Sequence, residues 1–139
     1  MSEPAPTTQG IPRIDFDALV PDGQQTARAV LYEAPYDLLP RDPSVSVNVY
    51  AGVIKAGAKN AYHFHNGTSF FAVLQGTIRI EFQDETREYT AGDVYCEPIG
   101  KIHRAHNPDP DVDFICIGFN VTAPEREMVV NLAGEDAPW

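Results

Sequence analysis

The strongest constraint on the fold is a succession of short β-type runs separated by Gly and Pro turns. In the run SVSVNVYAGVI (44–54), Val45, Val47 and Val49 alternate with polar or aromatic residues, which is the period-two pattern of a half-buried strand. Further runs of this kind occupy residues 27–34, 61–65, 69–76, 77–83, 93–97 and 112–121. So many short strands predict an all-β fold, an antiparallel sandwich or barrel that includes the double-sheet jelly roll.

The two ends of the chain carry weaker signals. Residues 1–10 lack the basic start and apolar stretch of a secretory signal, and we interpret them as a flexible leader. The segment IDFDAL (14–19) fits either a short edge strand or a helical turn. The tail PEREMVVNLAG (124–134) is the one candidate for a short helix. A length of 139 residues suits one domain, which we take as 11–139.

Composition excludes several classes of function. With 43% apolar residues the chain is typical of a globular protein, and no apolar run approaches the length that spans a bilayer. The formal charge of −10, with no cluster of Lys and Arg to offset it, disfavours binding to nucleic acid or to anionic membranes. A cytoplasmic protein that acts on a small molecule is the expectation.

The two cysteines, Cys96 and Cys116, each lie inside a predicted strand. We interpret both as small buried core residues rather than as a disulfide framework or a thiolate zinc site. Oxidation of the two thiols, should they face each other across a sheet, is the alternative.

Histidines provide the first sign of a functional site. In a strand, His63 and His65 project from the same face and can converge on one ion, with Phe64 on the opposite face. Such an H-x-H pair is weak evidence by itself, because histidines are common at strand ends. His103 follows a tight turn that can return the next strand over this pair, which would bring three imidazoles together.

These histidines fall within two spaced motifs. In the first, Gly57 is followed by five residues, His63, one residue, His65 and later Gly76. In the second, five residues separate a glycine from a proline, and the remaining fixed positions follow at short intervals. The residues of this second motif are Gly92, Pro98, Gly100, His103 and Asn107. Together the two stretches resemble the paired motifs of the cupin superfamily, over about residues 44–121, with an intermotif gap (77–91) typical of compact single-domain members.

The resemblance implies a cupin-type double-stranded β-helix, a jelly-roll barrel, with His63, His65 and His103 around a metal ion in its mouth. Neutral imidazoles suit Fe, Zn, Cu and Ni, and a barrel can hold three rings while leaving coordination positions open. The alternative is a cupin that has lost its metal and keeps these histidines as polar residues. His106 is interpreted as an exposed or hydrogen-bonded residue outside the set.

One family position departs from the pattern, because Ser69 stands where cupins usually carry a glutamate ligand. A hydroxyl is a weak ligand, so a divalent ion held by three imidazoles would keep its full charge and favour a chelating substrate that is anionic or enolisable. This disfavours Mn and favours Fe(II), with Zn, Ni or Cu as alternatives. Within the superfamily, three histidines without a carboxylate are found in thiol dioxygenases and in the iron enzyme that cleaves β-diketones. The resemblance therefore favours an Fe(II) dioxygenase.

Glu97 is a candidate for an extra ligand. It precedes Pro98 in a predicted strand where Val94 and Cys96 are taken as the apolar face, so Glu97 shares the other face with Tyr95. We prefer the interpretation in which that second face is solvated.

The candidates for substrate binding are Asn60, Ser69, Tyr50 and Tyr95. An asparagine three positions before the first histidine contacts substrate in the germin-like oxalate oxidases, which are similar in this motif. The equally weighted alternative is that Asn60 is only a polar loop residue. The facing of Tyr50, Tyr62 and Tyr95 is open, so no general acid is assigned.

Two other functions compete with the dioxygenase. One is a non-redox cupin isomerase, epimerase, lyase or dehydratase for a sugar or small acid, with the metal as Lewis acid. The other is a cupin that binds a ligand without converting it. Cupins often dimerise through barrel faces and exchanged N-terminal strands, so residues 11–34 are a candidate interface of a homodimer.

Overall fold

The computed structural model describes residues 15–34, 46–123, 126–134 and 136–139. The predicted leader (1–10) lies outside the described residues. Within them the chain forms a 3-10 turn at Asp17–Leu19 and ten strands. The strands are β1 Thr26–Ala34, β2 Ser46–Ile54, β3 His63–His65, β4 Thr68–Gln75, β5 Thr77–Phe82, β6 Thr86–Thr90, β7 Val94–Glu97, β8 His103–His106, β9 Phe114–Thr122 and β10 Val129–Asn131.

The strands form two five-stranded antiparallel sheets. The first sheet has the order β1-β2-β9-β4-β7, and the second has the order β10-β3-β8-β5-β6. Because β2, β3, β4 and β5 alternate between the two sheets, the chain winds as a double-stranded β-helix. The predicted jelly roll is confirmed.

The core lies between the sheets, where period-two alternation buries one face of each strand. In β5 the pattern is regular, with Ile78, Ile80 and Phe82 buried and the residues between them partly exposed. Tyr50 of β2 and Phe114 of β9 face them from the first sheet. The inner faces therefore fix the strand register, because a slip by one residue would bring polar side chains into this core.

Three expectations about the elements are corrected or resolved. The predicted helix in the tail (124–134) is wrong, since Val129–Asn131 forms β10 and pairs antiparallel with β3. Pairing with the free edge of β3 prevails over the helical character of the sequence. The segment 14–19 contains a 3-10 turn, and Cys96 is exposed rather than buried, whereas Cys116 is buried as expected. Among the described residues, no helix has the length and apolar character needed to cross a membrane.

Candidate metal centre

Four buried side chains converge between the two sheets, and we refer to them as the His/Glu cluster. They are His63, His65, Glu97 and His103. Each offers one nitrogen or oxygen atom, and these four atoms lie within 4.8 Å of one another. The structure therefore brings together the three histidines of the sequence motifs and adds a carboxylate.

The second sheet places the three imidazoles. Alternation along β3 turns His63 and His65 inward and Phe64 outward, and His63 pairs with His103 across β3 and β8. The ring centroids of His63 and His103 are 4.4 Å apart, and that of His65 lies 5.1 Å from the first and 5.2 Å from the second. Three rings on two adjacent strands thus share one small volume.

The carboxylate comes from the first sheet. Glu97 closes β7 with only 5% of its surface exposed, and its Oε1 lies 3.2 Å from Nε2 of His103. Its Oε2 contacts Nε2 of His65. The expectation that this face of β7 is solvated is wrong. Tyr95 and Glu97 point into the barrel, while Val94 on the other face is 70% exposed.

Backbone carbonyls orient two of the rings. Nδ1–H of His63 donates to the carbonyl of Ala61 at 2.7 Å, and Nδ1–H of His103 donates to the carbonyl of Lys101 at 2.8 Å. These hydrogen bonds fix the tautomer and leave Nε2 of each ring available to an ion, as is usual for metal-binding histidines.

The charges of the cluster also suit a cation. Burial alone would raise the pKa of Glu97, but the adjoining imidazoles of His103 and His65 lower it to about 2. Burial, together with the neighbouring His103, lowers the pKa of His63 to about 4. Burial acts to lower the pKa of His103, but the adjoining Glu97 raises it. The ionised Glu97 and the neutral His63 are in the protonation states in which both bind metals.

The cluster fits a divalent transition metal. Its donors are three imidazole nitrogens and one carboxylate oxygen, a set that suits Fe, Zn, Ni and Cu. The buried atoms Nε2 of His65, Nε2 of His103 and Oε2 of Glu97 make no well-formed hydrogen bond among the described residues. Buried polar atoms of this kind need a partner, and an ion between them would provide one.

A row of polar residues crosses the first sheet at the level of the cluster. Asn48, Asn120, Ser69 and Glu97 are successive cross-strand partners on β2, β9, β4 and β7. The Ser69 hydroxyl donates to Oδ1 of Asn120 at 2.7 Å, and Nδ2 of Asn120 donates to Oδ1 of Asn48 at 3.1 Å. Ser69 is fully buried and is not among the residues that line the cavity described below. It supports Asn120 instead.

A cavity of about 550 Å³ opens onto the cluster. His63, His65 and Glu97 lie in its wall, together with the predicted substrate-binding residues Tyr50 and Tyr95. A volume of this size is in the range of small-molecule sites. The cluster therefore borders a cavity that can hold a small ligand.

Asn60 also lines the cavity, but part of its side chain is already engaged. Its Oδ1 accepts a hydrogen bond from the backbone N–H of Ala105 at 2.8 Å, which ties the loop before β3 to β8. His106 lies outside the cluster, with Nδ1 3.4 Å from Oε1 of Glu81. Tyr62 is buried, and its ring packs against that of Trp139.

Three residues near the cluster and the cavity were not predicted from the sequence, namely Asn48, Asn120 and Arg28. The first two are polar positions at period two among apolar residues, in SVNVY and GFNV, and this pattern marks an inward polar row once the buried face is known. Arg28 lines the cavity from β1 and carries no motif that would reveal it.

Comparisons with known proteins agree with this fold. The family model Cupin_2, described as a Cupin domain, matches residues 52–118. A search of curated proteins finds no significant relative.

Similar solved structures include an uncharacterized conserved protein with a double-stranded beta-helix domain from Klebsiella pneumoniae. It is 23% identical to this chain with a TM-score of 0.58, and the match covers 85% of this chain and 94% of that one. A cupin-like protein from Thermotoga maritima is 21% identical, with a TM-score of 0.59 and coverage of 77% and 75%. The DMSP lyase DddQ from Ruegeria pomeroyi is 19% identical, with a TM-score of 0.52 over 65% of this chain and 44% of that one. These likenesses establish the fold.

Proposed function

Because the chain belongs to the cupin superfamily, whose fold and paired motifs it carries, we propose that it is an enzyme with a mononuclear metal centre held by the His/Glu cluster. The observation that carries the proposal is the convergence of four buried donor atoms within 4.8 Å, in the wall of a cavity of about 550 Å³. Burying four polar donor atoms without a metal carries a large desolvation free energy that nothing offsets. Coordination of a bound ion offsets this free energy and makes their burial favourable.

Glu97 changes the charge that the sequence alone implies. With a carboxylate among the ligands, a divalent ion keeps a net charge of about +1 in place of the +2 expected for three imidazoles. Mn was disfavoured because the sequence motif lacks a carboxylate ligand, and with Glu97 in the ligand set it is no longer disfavoured. The remaining charge still favours a substrate that binds as an anion.

Within this class we propose an Fe(II)-dependent dioxygenase that acts on a chelating, anionic or enolisable small molecule, supported by a donor set that suits Fe(II) and by the neighbouring cavity rather than by the absence of a carboxylate. When bound, Fe(II) supplies the redox chemistry through which O₂ reacts with an organic anion. The chain's own residues bind and orient that anion. Glu97 stays ionised and His63 stays neutral. The aromatic rings of Phe71 and Tyr95 line the cavity and limit the access of water to the cluster.

The test begins with protein that carries no histidine tag and has been stripped with chelator. It is reconstituted anaerobically with Fe(II), Zn(II) or Mn(II), and bound metal is measured by elemental analysis. Oxygen uptake is then followed with β-diketones, 2-oxo acids, thiols and catechols. We expect stoichiometric metal and Fe-dependent oxygen consumption. Absence of bound metal after all three reconstitutions would contradict the proposal.

The chain offers a matched pair of variants for this test. His103→Ala removes a cluster imidazole, whereas His106→Ala removes one from the same strand, β8, outside the cluster. We expect His103→Ala to lose metal and oxygen uptake and His106→Ala to keep both. Equal behaviour of the two variants would argue against the assigned ligands.

A second candidate is a non-redox enzyme in which the metal acts as a Lewis acid. Tyr50 favours it, because this residue lines the cavity and its hydroxyl makes no well-formed hydrogen bond within the described residues. Burial raises the pKa of Tyr50 well above its ordinary value, so the phenol keeps its proton and can act as a hydrogen-bond donor to a substrate oxygen. Turnover by the Zn(II) protein without oxygen would select this candidate over the dioxygenase.

A further inference from the structure

The charges around the cavity differ from those of the chain as a whole. The sequence holds 20 acidic and 10 basic residues, yet Glu97 is the one acidic side chain among the described residues that line the cavity. Two basic side chains, Arg28 and Lys59, line it as well. Since Glu97 belongs to the cluster, the remainder of the cavity is positively charged in an otherwise acidic protein.

An aromatic floor connects the basic region to the cluster. Tyr50, Gly118, Phe71 and Tyr95 are successive cross-strand partners on β2, β9, β4 and β7. The ring centroids of Tyr50 and Phe71 are 5.4 Å apart, and those of Phe71 and Tyr95 are 4.9 Å apart. Tyr95 lies two residues before Glu97 on the same face of β7. The floor therefore ends beside the cluster.

Arg28 stands at the opposite end of this floor. Its guanidinium carbon lies 4.0 Å from the centroid of the Tyr50 ring, a cation–π contact that holds the side chain over the cavity. Arg28 pairs with Gly52 across β1 and β2, so no side chain on the partner position competes for that space. Arg28 is an exposed residue, and its charge therefore lies at the open end of the cavity.

Gly118 keeps the floor flat. A Cβ at this position would lie 2.6 Å from the Tyr50 hydroxyl and 2.2 Å from the carbonyl oxygen of Phe70. Without a side chain on β9, the Tyr50 ring lies across the strand and reaches Phe71. The flat surface between Arg28 and the cluster suits an apolar or planar substrate body.

We infer that the substrate is an elongated organic anion with two recognition points, a metal-binding group at one end and a carboxylate at the other that pairs with Arg28. This inference rests on the proposed metal-dependent function and adds the substrate class. Arg28 is the specificity-determining residue, because its planar fork binds a carboxylate through two parallel hydrogen bonds. Lys59 adds positive charge without that geometry.

The experiment uses zinc-loaded protein, so that binding is measured without turnover. It is titrated calorimetrically with a homologous series of alkyl hydroxamates that end in a carboxylate, and with the matching series that ends in a neutral amide. The hydroxamate supplies the metal-binding group in both series, and only the remote charge differs. At the best chain length we expect the carboxylate to bind about tenfold more tightly than its amide.

Variants assign that preference to Arg28. Arg28→Gln should remove the advantage of the carboxylate while leaving the affinities for zinc and for the amide series unchanged, and Arg28→Lys should retain part of it. The matched control is Arg79→Gln on β5, whose side chain pairs with Glu88 away from the cavity and whose loss should change neither series.

The outcomes separate this inference from the proposed function. If the protein takes up no zinc, the metal centre and the inference fall together. If zinc binds but both series bind equally, or if the preference survives Arg28→Gln, the inference is overturned while the metal-dependent function stands.

Discussion

Glu97 on β7 and Ser69 on β4 are cross-strand partners. Both side chains are buried on the inner face of the first sheet. Cupins usually carry a glutamate ligand at the position of Ser69, and in this chain the carboxylate lies one strand away, at the same level of the barrel. In the proposed metal centre, the carboxylate is therefore supplied from the neighbouring strand β7 and not from position 69 on β4.

Glu97→Gln should weaken metal binding by at least about tenfold, because the amide keeps the shape of the side chain but removes its charge and its strongest donor. The measurement is competitive titration of Zn(II) against a chromophoric chelator. Glu88→Gln, an exposed change on β6, is the control and should bind as the parent does. Unchanged zinc affinity in Glu97→Gln would remove Glu97 from the ligand set.

Combining Ser69→Glu with Glu97→Ser should restore much of the affinity that Glu97→Ser alone loses. The two positions face each other across β4 and β7, where Cβ atoms are typically about 5 Å apart, so a glutamate at 69 can reach the same ion. Zinc titration of the single and double variants forms a cycle. A double variant that binds no better than Glu97→Ser would show that the two positions are not equivalent.

Ser69→Ala should destabilise the protein by about 1–3 kcal/mol, because Oδ1 of the buried Asn120 loses its donor. Urea unfolding of the metal-free protein measures the change. Thr77→Ala removes an exposed hydroxyl contact between β5 and β6 and should change stability by less than about 0.5 kcal/mol. Similar effects from both variants would contradict a structural role for the polar row.

Gly118→Ala should cost about 2 kcal/mol or more, because its Cβ would overlap a backbone carbonyl that cannot rotate away. Gly52→Ala is the matched comparison. There the new Cβ would meet Sγ of Cys116 at 2.9 Å, a side-chain atom that can shift, so we expect a smaller loss. Thermal unfolding of the two variants gives the order, and a reversed order would contradict this account of the floor.

One thiol should react with a disulfide reagent in the native protein and two in denaturant. Cys96 is exposed, whereas burial raises the pKa of Cys116 to about 12 and leaves little thiolate near neutral pH. The rate is followed spectrophotometrically. In Cys96→Ser the fast native phase should vanish, and a fast phase that persists would place Cys116 within reach of solvent.

Spacing along the sequence was sufficient to predict much of the site. The three histidines follow glycines and a proline at fixed intervals, and alternation in HFH turns His63 and His65 to one face. His103 meets them because of a tight turn that Pro98 and Gly100 indicate in the sequence. Gly100 has a φ of +74°, a conformation that favours glycine. Strand alternation and local turn geometry therefore determine where the three histidines lie.

Glu97 was harder to place because both faces of β7 carry apolar residues. Val94 and Cys96 suggest a core face as strongly as Tyr95 does, and a strand of four residues gives alternation little power. The facing is decided by register with β4, which is a long-range property. The tail shows the same limit, because Val129–Asn131 becomes a strand only through its pairing with β3.

That pairing has a consequence for biosynthesis. β3 has three residues and meets β8 at one registered pair, so β10 is its more extensive neighbour. Every residue of the His/Glu cluster precedes β10 in the chain. A ribosome must therefore translate as far as Asn131 before the strand that bears His63 and His65 is held on both sides. We expect an ion to be captured in its final geometry only after that point.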